Sequence, residues 1–384
     1  MKSVLSERKT LHPQNVERRE LPAAAGQAVR ELAREISTTL DATLGEADAA
    51  RTLTHPALIE QIDARVAELP REVRQAVRPP ATAHGATIVS RLPLTDTEFG
   101  PTPPSWREAA RWSGEPATRA NSFQFDLVML LLARSAGEPF GWLGQQGGRL
   151  VNNIVPAAGH EHEQSGASSA TLLSPHTEDA FHPERAHLLM LGCLRNPGLV
   201  GTTVSSVRRV ELSAEQRGLL STPVLPILPD VSYGDGHEKC SATPLPTLWS
   251  AAGPDEQTLR YDPAYTPLDD AAPEFRAAYA RLTAELERVC VTAALAPGEV
   301  LLVDNDVAVH GRVPFTARYD GTDRWLKRVN IRLPERQRRA AEADENGYGQ
   351  RIVAPFRSAG TLPIERGTHE WDVVPNDRGT LEHS

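Results

Sequence analysis

Short apolar segments, each closed by proline or glycine, dominate the chain from Leu172 onward. Residues 187–194, 199–207 and 299–303 have this character. Apolar runs of this length between turn residues are typical of the strands of a barrel or sandwich. The pattern therefore predicts a mainly β core in this part of the chain.

Helical periodicity is strongest before that core. Apolar residues recur at three- and four-residue steps over 25–44 and over 58–69, which predicts two amphipathic helices. A strand is predicted over 86–94, a helix over 122–135 and a further helix from Pro273. We expect the first helices to form a layer that packs on the β core.

The tract over residues 222–262 is rich in proline and glycine and lacks periodicity, which is typical of an inserted loop over a site. The sequence after Glu335 is charged and rich in loop-forming residues, so we expect it to be peripheral. These features predict one elaborated domain over residues 1–384. Its predicted parts are a helical layer (1–120), a core (121–335) with a lid insertion (210–270) and a peripheral segment (336–384).

The composition narrows the classes of partner. The 384 residues carry a formal net charge of −9, which disfavours nucleic acid and anionic membranes and favours small-molecule substrates. No apolar run approaches the roughly 20 residues of a membrane helix, and the N-terminus lacks the apolar core of a secretory signal, so we expect a cytoplasmic protein. Cys193, Cys240 and Cys290 are widely spaced, which predicts reduced thiols.

The sequence has no G-x-S-x-G nucleophile elbow and no phosphate-binding glycine loop, which leaves histidine and carboxylate chemistry. The pattern His-x-Asp/Glu occurs twice, about as often as chance predicts for 12 histidines and 50 acidic residues. His176 and Glu178 would share one face of an extended segment. Pro183 instead favours a turn between His182 and Glu184.

His310 follows a buried-strand pattern and the acidic bend 304–306, and it could join His176 and Glu178. Two histidines and one carboxylate that leave open positions form the facial triad of non-haem Fe(II) oxygenases. On spacing alone, ordinary core or loop histidines are the alternative interpretation. Residues 160–163, His-Glu-His-Glu, are a competing metal candidate, for which we favour a solvated polar loop.

Three strings carry a family resemblance: HTEDAFHPERA (176–186), CLRNP (193–197) and VDNDVAVHGRVPFTARYDGTDRWLKR (303–328). They resemble the clavaminate synthase-like Fe(II)/2-oxoglutarate oxygenases, and among these the free amino acid hydroxylases of peptide-antibiotic pathways, of the viomycin-type arginine β-hydroxylase kind. The match spans residues 141–333. It implies a distorted double-stranded β-helix, or jelly roll, whose open end holds iron and which the N-terminal helical layer wraps.

The resemblance implies that His176, Glu178 and His310 bind Fe(II), and that 2-oxoglutarate and O₂ are the cosubstrates. Because Glu178 stands where related iron halogenases have a small residue, hydroxylation is favoured over halogenation. The expected reaction places a hydroxyl group at C3 or C4 of an amino acid and releases succinate and CO₂.

Arg324 lies where family members place the arginine that pairs with the distal carboxylate of 2-oxoglutarate, a contact that guanidinium makes bidentately. Thr203 matches the hydroxyl donor to the same cosubstrate, with Thr202 as the alternative. Arg328 matches the arginine that holds the substrate α-carboxylate. Gln145 falls where the relatives bind the α-amino group of the substrate, and Glu178 would be the second acceptor for that amino group.

One departure from the family pattern bears on which substrate side chain is bound. Arginine-specific relatives clamp the guanidinium with two aspartates separated by one residue, and the matching positions here are Asp262 and Ala264. The loss of one carboxylate favours citrulline or lysine over arginine, unless Asp269 or Asp270 compensates. We expect the substrate to be a free L-amino acid with a long polar side chain. The hydroxylated product is expected to be a building block of a nonribosomal peptide antibiotic.

Two other functions were weighed against this one. A hydroxylase of a carrier-tethered aminoacyl group would have no free carboxylate for Arg328 to bind. A noncatalytic jelly-roll protein that binds an amino acid would have no use for iron and cosubstrate residues together.

Overall fold

The computed structural model describes residues 16–44, 53–114, 116–233, 241, 243–250 and 257–357. Its α-helices are α1 (Ala23–Leu44), α2 (Pro56–Arg65), α3 (Arg71–Ala76), α4 (Trp106–Gly114), α5 (Pro116–Ala136), α6 (Ala214–Leu220) and α7 (Pro273–Arg288). In the described part of the chain, no helix combines the length and the apolar character that a membrane crossing needs.

The strands are numbered in chain order, and their bounds are as follows. They are β1 (Glu17–Glu20), β2 (Ala86–Ser90), β3 (Glu138–Trp142), β4 (Asn152–Ile154), β5 (Leu173–His176), β6 (Leu188–Arg195), β7 (Thr202–Ser206), β8 (Leu248–Ser250), β9 (Gln257–Leu259), β10 (Val291–Ala293), β11 (Val300–Asp304), β12 (Ala308–Arg312), β13 (Trp325–Arg332) and β14 (Ile352–Val353).

Two sheets form the core. The larger has the order β1-β2-β11-β6-β13-β3-β14, with β4 also paired to β13, and the smaller has the order β10-β7-β12-β5. Apart from the parallel pair of β1 and β2, these neighbours run antiparallel. Leu191 and Leu301 of the larger sheet join Val204 and Val309 of the smaller one in a shared apolar core. The sheets therefore face each other as the predicted jelly roll requires.

The central strands are buried on both faces, which explains their continuous apolar sequence. In β6, Leu188 and Met190 belong to the core beneath the helices, whereas Leu189 and Leu191 belong to the core between the sheets. Successive side chains of a strand point to opposite faces, so a strand covered on both sides needs apolar residues throughout.

The helical layer lies on the outer face of the larger sheet. Val29 and Ile36 of α1 share one apolar core with Phe125 and Met129 of α5 and with Val329 of β13. The helices predicted over 25–44 and 122–135 are thus present, and the second begins earlier, at Pro116. The predicted helix over 58–69 ends as an α-helix at Arg65 and continues as a 3₁₀ turn, Val66–Glu68.

A buried ionic cluster ties this layer to the sheet. Asp126 of α5 lies 2.5 Å from Nζ of Lys327 on β13 and 3.2 Å from Nη2 of Arg149, and all three side chains are buried. A buried charge is costly unless it is paired, so each partner depends on the others. The cluster fixes the segment that leads from β3 to β4.

Residues 336–357 correct one prediction, because they are not peripheral. Glu342 forms buried ion pairs with Arg185 and Arg260, and Glu345 forms another with Arg260. Tyr348 packs into an apolar cluster with Phe181. The many charges suggested a surface segment, but here they are paired in the interior. Residues 358–384 of the predicted peripheral segment lie outside the described residues.

Cys193 and Cys290 are free thiols, as predicted, and Cys240 lies outside the described residues.

Candidate active site

The smaller sheet brings two histidines together. His176 ends β5 and pairs in register with His310 of the neighbouring β12, so that their ring centroids lie 4.4 Å apart. Glu178 is two positions after His176 in the sequence. Its Oε2 lies 3.3 Å from Nε2 of His310 and 3.8 Å from Nε2 of His176. In the part of the chain that the structure describes, this is the cluster whose ligand atoms could hold a metal ion, and those atoms lie within 4.8 Å of one another.

The donor set fits Fe(II). Oε2 of Glu178 is buried and has no hydrogen-bond partner among the described residues, although both Nε2 atoms face it. Nδ1 of His176 lies 2.8 Å from the carbonyl oxygen of Ser174, so it donates there and leaves Nε2 for a metal. Two imidazoles and one carboxylate, with open positions, suit non-haem iron.

The charges of the triad are also suited to a cation. Burial raises the pKa of Glu178, but Arg328 and the two imidazoles lower it by more, so that the pKa lies well below its usual range. Burial and the charge of His176 lower the pKa of His310 to about 4. Burial lowers the pKa of His176, but Glu178 and Asp262 outweigh it and raise that pKa to about 9. A metal ion would displace the His176 proton, since the metal ligand is the neutral imidazole.

Asn305, which was not among the predicted site residues, holds the Glu178 backbone in place. Its Oδ1 accepts from the Glu178 N–H at 2.8 Å, and its Nδ2 donates to the carbonyl oxygens of Glu178 and Ala186 at 3.1 and 2.9 Å. The only sequence signal was its place in the bend 304–306 before β12.

A cavity of about 710 Å³ lies over the triad and is lined by both sheets, by α4 and by residues 228–233. The last of these belong to the tract predicted to cover a site. At one end of the cavity, Nη2 of Arg324 donates to Oγ1 of Thr202 at 3.1 Å. Burial lowers the pKa of Arg324 to about 10, and no carboxylate pairs with it within the described residues. The guanidinium of Arg312 also lines the cavity, and carbonyl oxygens of Ser168 and Thr171 accept from it. This end is therefore positively charged.

Of the two candidate threonines, Thr202 lies at this end of the cavity. Thr202 lines the cavity and contacts Arg324, whereas Thr203 pairs with Gly311 and does not line it. Adjacent residues of a strand face opposite sides, so only one of the two can point inward. The sequence left both threonines open, and of the two it is Thr202 that lies beside Arg324 in the cavity.

The residues predicted to hold the backbone of the substrate lie beside the triad. Arg328 donates to Oε1 of Glu178, to Oε1 of Gln145 at 2.6 Å and to Oδ1 of Asn152 at 3.1 Å. Nε2 of Gln145 donates to Oγ of Ser232 at 2.9 Å. Its neighbour Gln146 also lines the cavity but bonds the backbone of Asn153, so Gln145 is the one of the two that contacts Arg328.

Two further carboxylates line the cavity. They are Asp262, which was predicted, and Asp230, which was not. Burial raises the pKa of Asp262 to about 6 and also raises that of Asp230, and Asp230 further raises the pKa of Asp262. Asp269 and Asp270 are exposed and do not line the cavity. The sequence did not predict Asp230 as a site residue, because it lies in a proline-rich loop without periodicity.

The competing histidines have other surroundings. His182 lies in a turn, where its Nδ1 accepts from the Glu184 N–H at 3.0 Å. His160 lies at the cavity wall, with Nδ1 at 2.8 Å from Oε1 of Glu163 and its ring edge-on to Trp106. Neither joins a metal-binding cluster among the residues that the structure describes.

Comparisons with known proteins agree with this site. The family model "Taurine catabolism dioxygenase TauD, TfdA family" matches residues 144–330, which include the triad, Arg324 and Arg328. The enduracididine β-hydroxylase of Streptomyces hygroscopicus is 37% identical over 297 residues, covering 71% of this chain and 85% of that protein. The L-ornithine/L-arginine 3-hydroxylase of Catenulispora acidiphila is 33% identical over 266 residues, covering 64% and 75%.

A solved structure shares the fold. The non-haem iron oxygenase OrfP, in complex with Fe and α-ketoglutaric acid, superposes with a TM-score of 0.68 at 36% identity, covering 82% of this chain and 94% of that chain. The jelly roll and the His-Glu-His centre, together with these relatives, define a non-haem Fe(II)/2-oxoglutarate-dependent dioxygenase. The chain belongs to the TauD/TfdA family of dioxygenases. The predicted fold, family resemblance and cofactors are thereby confirmed.

Proposed function

We propose that this dioxygenase hydroxylates a free L-amino acid with a long cationic side chain at C3 or C4, and converts 2-oxoglutarate and O₂ to succinate and CO₂. The observation that carries the proposal is the distribution of charge in one cavity. Arg328 and Gln145 lie beside the triad carboxylate Glu178, and Asp230 and Asp262 line the same cavity. A molecule with a carboxylate, an ammonium group and a distal cation matches this pattern.

The backbone of the substrate would bind beside the iron. Arg328 would pair with the α-carboxylate, and Oε1 of Gln145 with the α-amino group, for which Oε1 of Glu178 is the second acceptor. In the structure Arg328 donates to both acceptors, so a bound amino acid would insert between partners that already face each other. Gripping both backbone groups places C3 or C4 nearest the metal.

The side chain of the substrate would reach the two carboxylates. Asp230 supplies the second carboxylate that Ala264 lacks, so arginine, ornithine and lysine are favoured over citrulline. A neutral ureido group would bring no positive charge to these two carboxylates. Two relatives are named for enduracididine and for L-ornithine/L-arginine, which supports this class.

The cosubstrate would occupy the positive end of the cavity. Arg324 and Thr202 would hold the distal carboxylate of 2-oxoglutarate, and the charge of Arg312 would favour a dianion there. His176, Glu178 and His310 would hold the iron, which would supply the activation of O₂ that is coupled to decarboxylation. The protein would position the target carbon.

A free amino acid is favoured over a carrier-tethered aminoacyl group, because a thioester has no carboxylate for Arg328. We also propose a cytoplasmic location and a role in supplying a hydroxylated building block for an antibiotic peptide. The relative named for enduracididine supports this role.

The test is aerobic incubation of the protein with Fe(II), 2-oxoglutarate and ascorbate, with arginine, ornithine, lysine, citrulline and asparagine in separate samples. We expect mass spectrometry to show a gain of one oxygen on a cationic amino acid, and none in a His176→Ala control. Exclusive oxidation of citrulline or asparagine would overturn the proposed substrate class.

A further inference from the structure

Residues 228–233, here the covering loop, form one wall of the cavity. The loop contributes the carboxylate of Asp230, and the hydroxyl group of Ser232 accepts a hydrogen bond from Gln145. Its middle residue, Val231, is 54% exposed, and its first N–H donates to the Tyr265 carbonyl oxygen at 2.9 Å. The Val231 N–H also donates to the Tyr265 hydroxyl group at 3.4 Å, and the position of both cavity-lining polar groups depends further on how the other end of the loop is held.

That end is held by Tyr233. The side chain is buried and packs edge-on against Phe181 and Trp142, with ring centroids 4.8 and 6.2 Å away. Its hydroxyl group donates to Oδ1 of Asp179. Packing fixes the ring, and the hydroxyl group adds a directional contact between the loop and the turn that carries Glu178.

Asp179 is a rigid partner for this contact. Its Oδ2 accepts from Nε1 of Trp142 at 2.7 Å and from Nδ2 of Asn330 at 2.9 Å. Its backbone has φ 53°, in the left-handed region, directly after the iron ligand Glu178. A non-glycine residue holds this conformation at a cost, which the three side-chain hydrogen bonds offset. The loop is thus bonded to the turn that carries the triad carboxylate.

We propose that Tyr233 is a positioning residue for the substrate: its hydrogen bond to Asp179 fixes the covering loop so that Asp230 and Ser232 face the bound amino acid. The proposal rests on the proposed function for the identity of that substrate. It predicts that the Tyr233 hydroxyl group governs binding of the amino acid and has little effect on binding of 2-oxoglutarate, which would bind beside Arg324.

The test compares Tyr233→Phe with the matched control Tyr261→Phe. Tyr261 is also buried, and its hydroxyl group bonds Thr283 at 2.9 Å on α7. Without substrate, hydrogen–deuterium exchange of the peptide that contains residues 228–233 should be faster in Tyr233→Phe than in wild type and unchanged in the control. With substrate, the KM for the amino acid should rise about tenfold, the size expected for a lost hydrogen bond to a carboxylate. The KM for 2-oxoglutarate should stay within about twofold, and more succinate should form per hydroxylated product.

Unchanged exchange and unchanged KM in Tyr233→Phe would overturn the proposal, as would a lower Tm with both KM values intact, since that is the signature of packing alone. A failure of the proposed function would appear in the wild type, as no hydroxylation of a cationic amino acid. The exchange comparison then still decides whether Tyr233 holds the loop.

Discussion

Removal of the Asp230 charge should change which side chains the enzyme accepts. Asp230 and Asp262 both line the cavity, and burial raises the pKa of both, although Arg328 opposes this rise at Asp230 and His176 opposes it at Asp262. A cationic substrate side chain would add a further favourable charge beside the two carboxylates. A hydrogen bond to a charged group contributes roughly 1.5–3 kcal/mol, and about 1.4 kcal/mol corresponds to a factor of ten. We therefore expect Asp230→Asn to lower kcat/KM for the cationic substrate by about 10- to 100-fold.

The same substitution should act differently on a neutral side chain. Citrulline cannot neutralise the second carboxylate, so its kcat/KM should stay level or rise in Asp230→Asn. The measurement is steady-state kcat/KM for arginine, lysine and citrulline in wild type and variant. Asp269→Asn is the control, since Asp269 is exposed and outside the cavity. A loss of equal size for arginine and citrulline would refute the reasoning, because it would show that Asp230 does not discriminate by charge.

Three further predictions concern the cosubstrate, the core and pH. Arg324→Lys should raise the KM for 2-oxoglutarate about tenfold because lysine cannot bind a carboxylate bidentately, and steady-state kinetics should show the KM for the amino acid unchanged. Asp126→Asn leaves Lys327 and Arg149 without their carboxylate, so the free energy of unfolding measured in urea should fall by about 3 kcal/mol; a loss below about 1 kcal/mol contradicts this. Burial lowers the pKa of His187 from 6.5 to about 3, so below pH 6.5 the unfolded chain binds a proton that the folded chain does not, and stability falls as pH falls. His187→Asn should remove about 1 kcal/mol of the loss between pH 6 and pH 5, and equal pH slopes in urea titrations of the two proteins would count against it.

Much of the fold was legible in the sequence because burial leaves a clear record. The strands β6 and β11 are covered on both faces, so their residues are apolar without interruption, and the amphipathic stripe of α1 marks the helix that packs on them. The spacing of the triad residues and of Arg324 does not by itself predict a site. These residues were predicted from the family resemblance of the strings around them.

The missed residues share a physical reason. Asp230 lies in a loop, where no periodicity indicates which side chains face a cavity. Thr202 and Thr203 differ only in register, which strand pairing decides. Glu342 and Glu345 look like surface residues until Arg185 and Arg260, far away in sequence, pair with them. In each case the deciding partner is distant along the chain.

The fate of molecular oxygen tests the central claim most directly. The wild-type protein would be incubated with Fe(II), 2-oxoglutarate, the oxidised amino acid and ¹⁸O₂, and both products would be weighed by mass spectrometry. The triad, together with the proposed sites for 2-oxoglutarate and the amino acid in one cavity, predicts one ¹⁸O atom in the hydroxylated amino acid and one in succinate. An amino acid product that carries oxygen only from water, or succinate formed without label, would contradict the account.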